Sequence, residues 1–183
     1  MPVVPSEEIQ RLRMSWEEFL GLPESPRTEW VDGEVLVMPP VAQSHGFVVG
    51  RLIQLLANSF PDLQVGTEIG VRLPRNRLRG PDVIVTERMT SETWVTEAPL
   101  LVAEVLSAST RAEDTIRKSM EYAEGGIGQY WIVDPELGTV DVLRNDNGAW
   151  QILAHLDDDH PAAEIALGPH GVVPLDLRSL LPR

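Results

Sequence analysis

Two carboxylates stand out in this sequence because each lies next to or within an apolar run. Asp82 follows Pro81 and opens the apolar run 83–85, and Glu104 lies inside the apolar run 100–106. Burial of a carboxylate without a partner costs several kcal/mol. Each carboxylate therefore needs a proton, a hydrogen-bonding or basic partner, or a metal ion.

If the two apolar runs form neighbouring strands, Asp82 and Glu104 can point into one cleft. Two oxygen ligands in a cleft suit Mg²⁺ or Mn²⁺, which are hard cations that retain water molecules for chemistry. Two alternatives stay open. Asp82 could cap a turn, and Glu104 could be neutralised by an arginine or by backbone amides.

Lys118 is the single lysine among 15 basic residues. Lysine carries a compact ammonium with an adjustable pKa, which arginine lacks, although a single lysine has to fall somewhere. Helical spacing predicts that Lys118 lies on the far flank of its helix, on one face with Asp114 and Tyr122. Its long stem could still reach a cleft. The apolar stripe of that helix is expected at Ala112, Ile116, Met120 and Ala123.

The net charge is −13, from 15 basic and 28 acidic residues. Proteins that coat nucleic acid nonspecifically are normally basic, so this balance argues against a broad nucleic-acid-binding surface. One stretch, 70–88, carries five arginines against two acidic residues. It is interpreted either as a solvated loop or as a local positive surface that meets a polyanion. The arginines are Arg72, Arg75, Arg77, Arg79 and Arg88.

Length and composition predict a cytoplasmic globular protein with one domain over residues 1–183. The hydrophobic fraction is 43% and the charged fraction 23%. The sequence contains no apolar run of about 18 residues, and its N-terminus lacks the basic segment of a signal peptide. Cysteine is absent, which excludes disulfides and a cysteine nucleophile. The four histidines lack metal-ligand spacing, and His45 is interpreted as a cap or a packing residue.

The order of elements predicts a mixed α/β domain with a central sheet, flanking helices and appended β-hairpins. Helices are expected at 15–22, 44–60 and about 110–124, the first and last opened by capping boxes (Ser15 with Glu18, Thr110 with Glu113). Hairpins are expected at 28–38 and around "NDNG" (145–148). Strands are expected at 82–86, 99–107 and 129–134, with the second central and next to the first.

Five segments together resemble the Uma2 family of restriction endonucleases, within the PD-(D/E)XK nuclease superfamily. The resemblance covers residues 14–145, and the segments are "VDGEVLVMPP", "SHGFVVGRLIQLL", "GPDVIV", "LVAEVLSASTRAEDTIRKSMEYAEGG" and "QYWIVDP". It implies a restriction-endonuclease-like core. The superfamily pattern places Asp82 and Glu104 in the catalytic set, whereas the usual lysine position is Leu106. Lys118 then becomes the candidate lysine.

The chemistry implied by the resemblance is hydrolysis of phosphodiester bonds assisted by Mg²⁺ or Mn²⁺. Asp82, Glu104 and the Val105 carbonyl are the expected metal ligands, and Lys118 is expected to orient water or stabilise developing charge. Glu34 is a further candidate ligand or base, and Glu68 a weaker one. The expected partner is nucleic acid, DNA in particular, with a homodimer as the candidate assembly.

Two other functions remain open at this point. The chain could be a catalytically silent interaction module on a nuclease-like fold, which its acidic charge and the absence of an in-strand lysine favour. It could also be a metal-dependent hydrolase of another phosphate ester.

Overall fold

A computed structural model describes residues 6–23 and 27–181. The N-terminal segment, for which the sequence predicts no signal peptide, therefore lies partly outside the described residues. Within the described ranges there are thirteen strands. In chain order they are β1 (Gln10–Arg13), β2 (Thr28–Val31), β3 (Glu34–Val37), β4 (Gln64–Gly66), β5 (Val71–Leu73), β6 (Arg77–Arg79), β7 (Val83–Thr86), β8 (Leu101–Val105), β9 (Gln129–Asp134), β10 (Thr139–Asp146), β11 (Ala149–Leu156), β12 (Ala162–Ala166) and β13 (Val172–Asp176).

The helices in the same ranges are α1 (Trp16–Leu20), α2 (Gln43–Ser59), α3 (Ser119–Glu124) and α4 (Leu177–Leu180). A π-helical segment, Glu113–Lys118, runs directly into α3. A short 3₁₀ turn, Gly168–His170, precedes β13. No helix in the described ranges has the length and apolar character needed to cross a membrane.

The main sheet has six strands in the spatial order β11-β10-β9-β8-β7-β4. Strand β8 is interior: it pairs antiparallel with β7 and parallel with β9. This confirms the predicted mixed sheet, the central position of β8 and its adjacency to β7. All five residues of β8 are buried, as expected for a strand covered on both faces.

The alternation of side chains along β8 determines what each face of the sheet contacts. Leu101, Ala103 and Val105 join the core cluster under α2, which contributes Val48, Leu52 and Leu56. Val102 belongs to the cluster on the opposite face, together with Tyr122 of α3. Glu104 has the same parity as Val102, so its carboxylate also faces α3.

A second sheet has five strands in the order β1-β3-β2-β6-β5. The predicted hairpin is confirmed as β2–β3, with Asp32 and Gly33 both at positive φ, as a two-residue hairpin turn requires. One face of this sheet packs against the aromatic residues of α1. Helix α1 begins with the predicted capping box of Ser15 and Glu18.

The structure differs from the sequence analysis in three details of the fold. No capping box forms between Thr110 and Glu113, because the Glu113 carboxylate instead accepts from Arg11 and Arg79. Part of the stretch 70–88, for which a solvated loop was one interpretation, forms the β5–β6 hairpin. The hairpin of β12 and β13 has no counterpart among the elements predicted from the sequence. Hairpin β10–β11 is as predicted, except that β10 extends two residues further, to Asp146.

Candidate active site

Asp82 lies immediately before β7 and is 4% exposed. Its Oδ2 accepts a hydrogen bond from the backbone N–H of Val105 at 2.8 Å and lies 3.1 Å from His45 Nε2. Its Oδ1 accepts from Arg27 Nη1 at 3.0 Å. Burial would raise the pKa of Asp82, but the His45 hydrogen bond and the Arg27 charge outweigh burial and lower it. Asp82 is therefore a charged group that ties the start of β7 to the end of β8.

Glu104 is 1% exposed, and its partner is neither an arginine nor a backbone amide. Its Oε1 accepts hydrogen bonds from Lys118 Nζ at 2.9 Å and from the Tyr122 hydroxyl at 2.7 Å. Burial raises the pKa of Glu104 to about 8; the charges of Asp82 and Asp114 act in the same direction, and Lys118 opposes them. Glu104 therefore binds a proton more readily than an ordinary glutamate.

Lys118 is fully buried, so its predicted position on the far flank of the helix is wrong. Its Nζ lies 2.9 Å from Glu104, 3.1 Å from Asp114 Oδ1 and 3.2 Å from Glu29 Oε1. Burial alone would lower the pKa of Lys118, but the three carboxylates outweigh burial and raise it well above its ordinary value. Lys118 therefore remains an ammonium at neutral pH.

The helix carries its polar face inward. Ile116 and Met120, expected in an apolar stripe, are 58% and 59% exposed, whereas Asp114, Lys118 and Tyr122 are buried. The sequence did predict that these three residues share one face. That face is buried because the carboxylates of Glu29 and Glu104 pair with Lys118. The π-helical backbone of this segment is itself a feature that often marks functional sites.

Arg79 forms a second buried cluster next to Lys118. Its guanidinium donates to Glu29 at 2.8 Å, to Glu113 at 2.8 Å and to both carboxylate oxygens of Glu121, and the side chain is fully buried. Glu29 thus pairs with both Arg79 and Lys118. The carboxylates raise the pKa of Arg79 although burial lowers it.

The other arginines of the stretch 70–88 are also engaged by carboxylates or aromatic rings, which argues against the interpretation of this stretch as a local positive surface. Arg77 pairs with Asp32, Arg75 with Glu124 and Arg88 with Glu97. Arg72 stacks over Trp16, 4.5 Å from the ring centroid.

The three predicted residues Asp82, Glu104 and Lys118 line one small cavity of about 20 Å³. That volume is sufficient for about one water molecule or one ion. The remaining lining residues are Arg27, Met38, Pro39, Pro40, Val41, His45, Val105, Ser107, Thr110 and Asp114. Within the described ranges, no group of three Asp, Glu or His side chains is arranged to hold a metal ion by itself.

The donor set nevertheless fits a divalent cation that retains water. Magnesium is commonly held by one or two carboxylates, with water and substrate oxygens completing the shell. Asp82 and Glu104 supply two hard carboxylates, and Val105 also lines the cavity. Both oxygens of Asp82 already accept hydrogen bonds, so a cation would have to compete with these donors, and the charged Arg27 guanidinium opposes it most.

Glu34 lies apart from this cavity. It directly follows the exposed turn of the β2–β3 hairpin, 3.8 Å from Arg11 and 3.9 Å from Arg13, and lines a different surface pocket. Its expected role as a ligand or base at the site is therefore not supported by its position. The weaker candidate Glu68 is exposed, but its carboxylate lies 3.9 Å from Arg27 at the rim.

Three residues of the site were not predicted. Arg27 and His45 both contact the Asp82 carboxylate, and Glu29 contacts Lys118. His45 is a site residue rather than a simple cap, because helix α2 places its ring against Asp82. The sequence signal for Glu29 was an acidic residue next to a tryptophan in the strand "TEWV". No local sequence pattern marked Arg27 as a site residue.

The sheets and helices define a mixed α/β fold. A solved structure from Anabaena variabilis, titled "a putative nuclease belonging to DUF820", shares this fold with a TM-score of 0.73 at 19% identity, over 91% of this chain and 97% of that one. The family described as "Putative restriction endonuclease" (Uma2) matches residues 16–173, so the chain belongs to that family. An uncharacterized protein of Synechocystis sp. is 31% identical over 157 residues, 80% of this chain and 83% of its own length.

Proposed function

We propose that the protein is a metal-dependent nuclease that hydrolyses phosphodiester bonds at the cavity between β7, β8 and the π-helical segment. The observation that carries the proposal is the convergence of Asp82, Glu104 and Lys118 on one cavity of single-ion size. The description of the family as a restriction endonuclease supports the same chemistry.

Asp82, Glu104 and the Val105 carbonyl are the proposed ligands of Mg²⁺ or Mn²⁺. When bound there, the cation would supply Lewis acidity and lower the pKa of a coordinated water molecule. Asp82 is held in place by the Val105 N–H and His45, and Glu104 by Tyr122 and Lys118. Both carboxylates are therefore pre-oriented by groups that cost no reorganisation during the reaction.

The charge balance of the interior supports a cation. The buried acidic side chains of the cluster outnumber the buried basic ones. The buried basic residues are Arg79 and Lys118, with Arg27 partly buried beside them. The buried acidic residues are Glu29, Asp82, Glu104, Glu113, Asp114 and Glu121. Such an excess of negative charge is relieved by protons or by a cation. Burial is the main reason that the pKa of Glu104 is raised, and the neighbouring charges of Asp82 and Asp114 act in the same direction.

Lys118 is the proposed basic residue of the site. Its ammonium holds the Glu104 carboxylate at 2.9 Å and is positioned to stabilise charge that develops on a phosphate entering the cavity. Leu106 occupies the in-strand position where the superfamily usually has its lysine, and it is buried, so the helix supplies the cation instead.

The proposed substrate is nucleic acid, with DNA as the first candidate, and the proposed enzyme is a cytoplasmic homodimer of one-domain subunits. The chain contains no cysteine, which fits a reducing compartment. Because most described arginines near the site are paired with carboxylates, binding of a polyanion should depend on the bound cation.

Nicking of supercoiled plasmid DNA tests the proposal. Wild type should nick DNA with Mg²⁺ or Mn²⁺ and not with EDTA, and Asp82→Asn should lose this activity. Asp32→Asn is the matched control, since asparagine is tolerated at positive φ in a hairpin turn. Equal nicking by wild type and Asp82→Asn would contradict the proposal. Competition among DNA, RNA and nucleotides separates a nuclease from a hydrolase of other phosphate esters.

One observation favours the alternative of a silent interaction module. Both oxygens of Asp82 already accept hydrogen bonds from the protein's own groups. If purified wild type shows neither cation binding nor nicking, these carboxylates are structural and the module is the better description.

A further inference from the structure

Arg27 contacts the cavity from a separate element. It directly precedes β2, and its carbonyl accepts a hydrogen bond from the Met38 N–H at 2.9 Å, which fixes its backbone. Its guanidinium donates to Asp82 Oδ1 at 3.0 Å and to the Gly80 carbonyl, and lies 3.6 Å from Glu29. The side chain is 21% exposed, so it lies between the cavity and solvent.

The two oxygens of Asp82 differ in what holds them. Oδ2 is fixed by the Val105 backbone and by His45, whereas Oδ1 accepts only from Arg27 among the described residues. The Val105 N–H cannot turn away without breaking the end of β8. A cation that binds Asp82 therefore takes the Oδ1 side, where the positive charge of the Arg27 guanidinium opposes it and favours displacement of Arg27 from that oxygen.

The guanidinium also has an unused donor. Arg27 Nε is buried and has no hydrogen-bond partner among the described residues. A buried N–H without a partner is unfavourable, and the planar fork of arginine matches two oxygens of a phosphate. Arg27 thus presents a cation with a free donor at the mouth of the cavity.

Among the described residues that line the cavity, no other arginine or lysine has this freedom. Lys118 is fully buried among three carboxylates, and Arg79, just behind it, is held by Glu29, Glu113 and Glu121. Arg27 is the partly exposed cation in the lining.

We infer that Arg27 forms a phosphate-binding subsite: its guanidinium is exchanged from Asp82 to a substrate phosphate when a divalent cation binds Asp82. The inference rests on the proposed function, since it requires a cation at Asp82 and a phosphodiester substrate. It makes cation binding and phosphate binding thermodynamically coupled through one side chain.

Two binding measurements on the full chain test the inference. The first is calorimetric titration with Mn²⁺ of wild type, Arg27→Met and Arg27→Lys. Removal of the competing guanidinium should tighten Mn²⁺ binding of Arg27→Met by about tenfold, the scale of one charge-assisted hydrogen bond. Arg77→Met is the matched control: it also removes an arginine paired with carboxylates, but one away from Asp82, and should bind Mn²⁺ like wild type.

The second measurement is the fluorescence anisotropy of a labelled phosphorothioate oligonucleotide with and without Mn²⁺. Mn²⁺ should increase the affinity of wild type and of Arg77→Met for this probe. In Arg27→Met, the Mn²⁺-dependent increase in affinity for the oligonucleotide should be smaller by at least about tenfold, although this variant binds Mn²⁺ more tightly. Arg27→Lys keeps the charge without the planar fork, so its increase in affinity should lie between those of wild type and Arg27→Met. It replaces Arg27→Met in the test if that variant does not fold.

Unchanged Mn²⁺ affinity in Arg27→Met, or an equal Mn²⁺-dependent gain in oligonucleotide binding, would overturn the inference. A failure of the proposed function gives a different result: wild type and Asp82→Asn would then bind Mn²⁺ equally, or neither protein would bind it. If wild type binds Mn²⁺ at Asp82 and the Arg27 variants behave like wild type, only the proposed exchange of Arg27 is rejected.

Discussion

Replacing Lys118 by methionine should strongly destabilise the fold, because the charge is removed while most of the apolar stem is kept. The Nζ atom lies within 3.2 Å of three buried carboxylates, those of Glu29, Glu104 and Asp114. Removal of one partner from a buried ion pair costs about 3–5 kcal/mol. That loss is a large share of the roughly 5–15 kcal/mol by which domains are stable.

The destabilisation of Lys118→Met should also depend on pH. Without the ammonium, the pKa of the buried Glu104 carboxyl, already raised to about 8, should rise further. A carboxyl whose pKa is higher in the folded than in the unfolded state binds more protons when folded, so stability decreases as pH rises above its unfolded pKa. Wild type shows the same loss up to about pH 8, where its own Glu104 ionises, so the difference between the variant and wild type should be smaller at pH 5 than at pH 9.

Urea denaturation followed by tryptophan fluorescence at both pH values measures this difference. The control is Arg117→Met, one residue earlier, whose 43% exposed side chain makes a single 3.7 Å ion pair with Glu113. It should change the free energy of unfolding by no more than about 1 kcal/mol. A comparably small change in Lys118→Met, or one that is equal at both pH values, would refute the buried ion cluster.

Three further predictions concern other parts of the fold and site. The pKa of Asp82 is lowered in the folded state, so the contribution of this carboxylate to stability is present above about pH 4 and is lost at lower pH. The difference in melting temperature between wild type and Asp82→Asn should therefore become smaller from about pH 6 to about pH 3. A difference that stays constant would contradict this prediction. A Cβ at Gly128 would lie 2.6 Å from the backbone oxygen of Leu100, the residue before β8, so Gly128→Ala should lower the free energy of unfolding by about 1–3 kcal/mol in urea denaturation. Gly46 in α2 has open space around the same position, so Gly46→Ala should be neutral or stabilising. Glu34→Gln should retain plasmid nicking, because Glu34 lies outside the cavity, and loss of nicking in a folded variant would count against that assignment.

Local patterns were sufficient to predict much of the fold. The apolar run around Glu104 predicted a strand covered on both faces, and Asp32-Gly33 predicted a tight hairpin. These features depend on neighbouring residues, whose preferences the sequence displays directly. The β12–β13 hairpin and strand β6 were missed because short segments rich in arginine or alanine lack a clear apolar alternation.

The site was predictable where a charge interrupted an apolar run, and not where partners are distant in sequence. Glu104 and Asp82 were identified in that way. Arg27 meets Asp82 across 55 positions and His45 meets it across 37, so only the packing of hairpin and helix brings them together. The inward orientation of Lys118 was mispredicted because an apolar stripe normally marks the buried helix face. Here the buried face is ionic, and its partners are on other elements.

Anomalous scattering from a crystal grown with Mn²⁺ tests the central claim most directly. The proposed site predicts one strong peak in the cavity, with oxygens of both Asp82 and Glu104 at about 2.0–2.2 Å, near the distances typical of Mg²⁺ ligands. In the same crystal the Arg27 guanidinium should no longer contact Asp82 Oδ1. Saturating Mn²⁺ with no peak between these carboxylates, and with the Arg27 contact retained, would contradict the account.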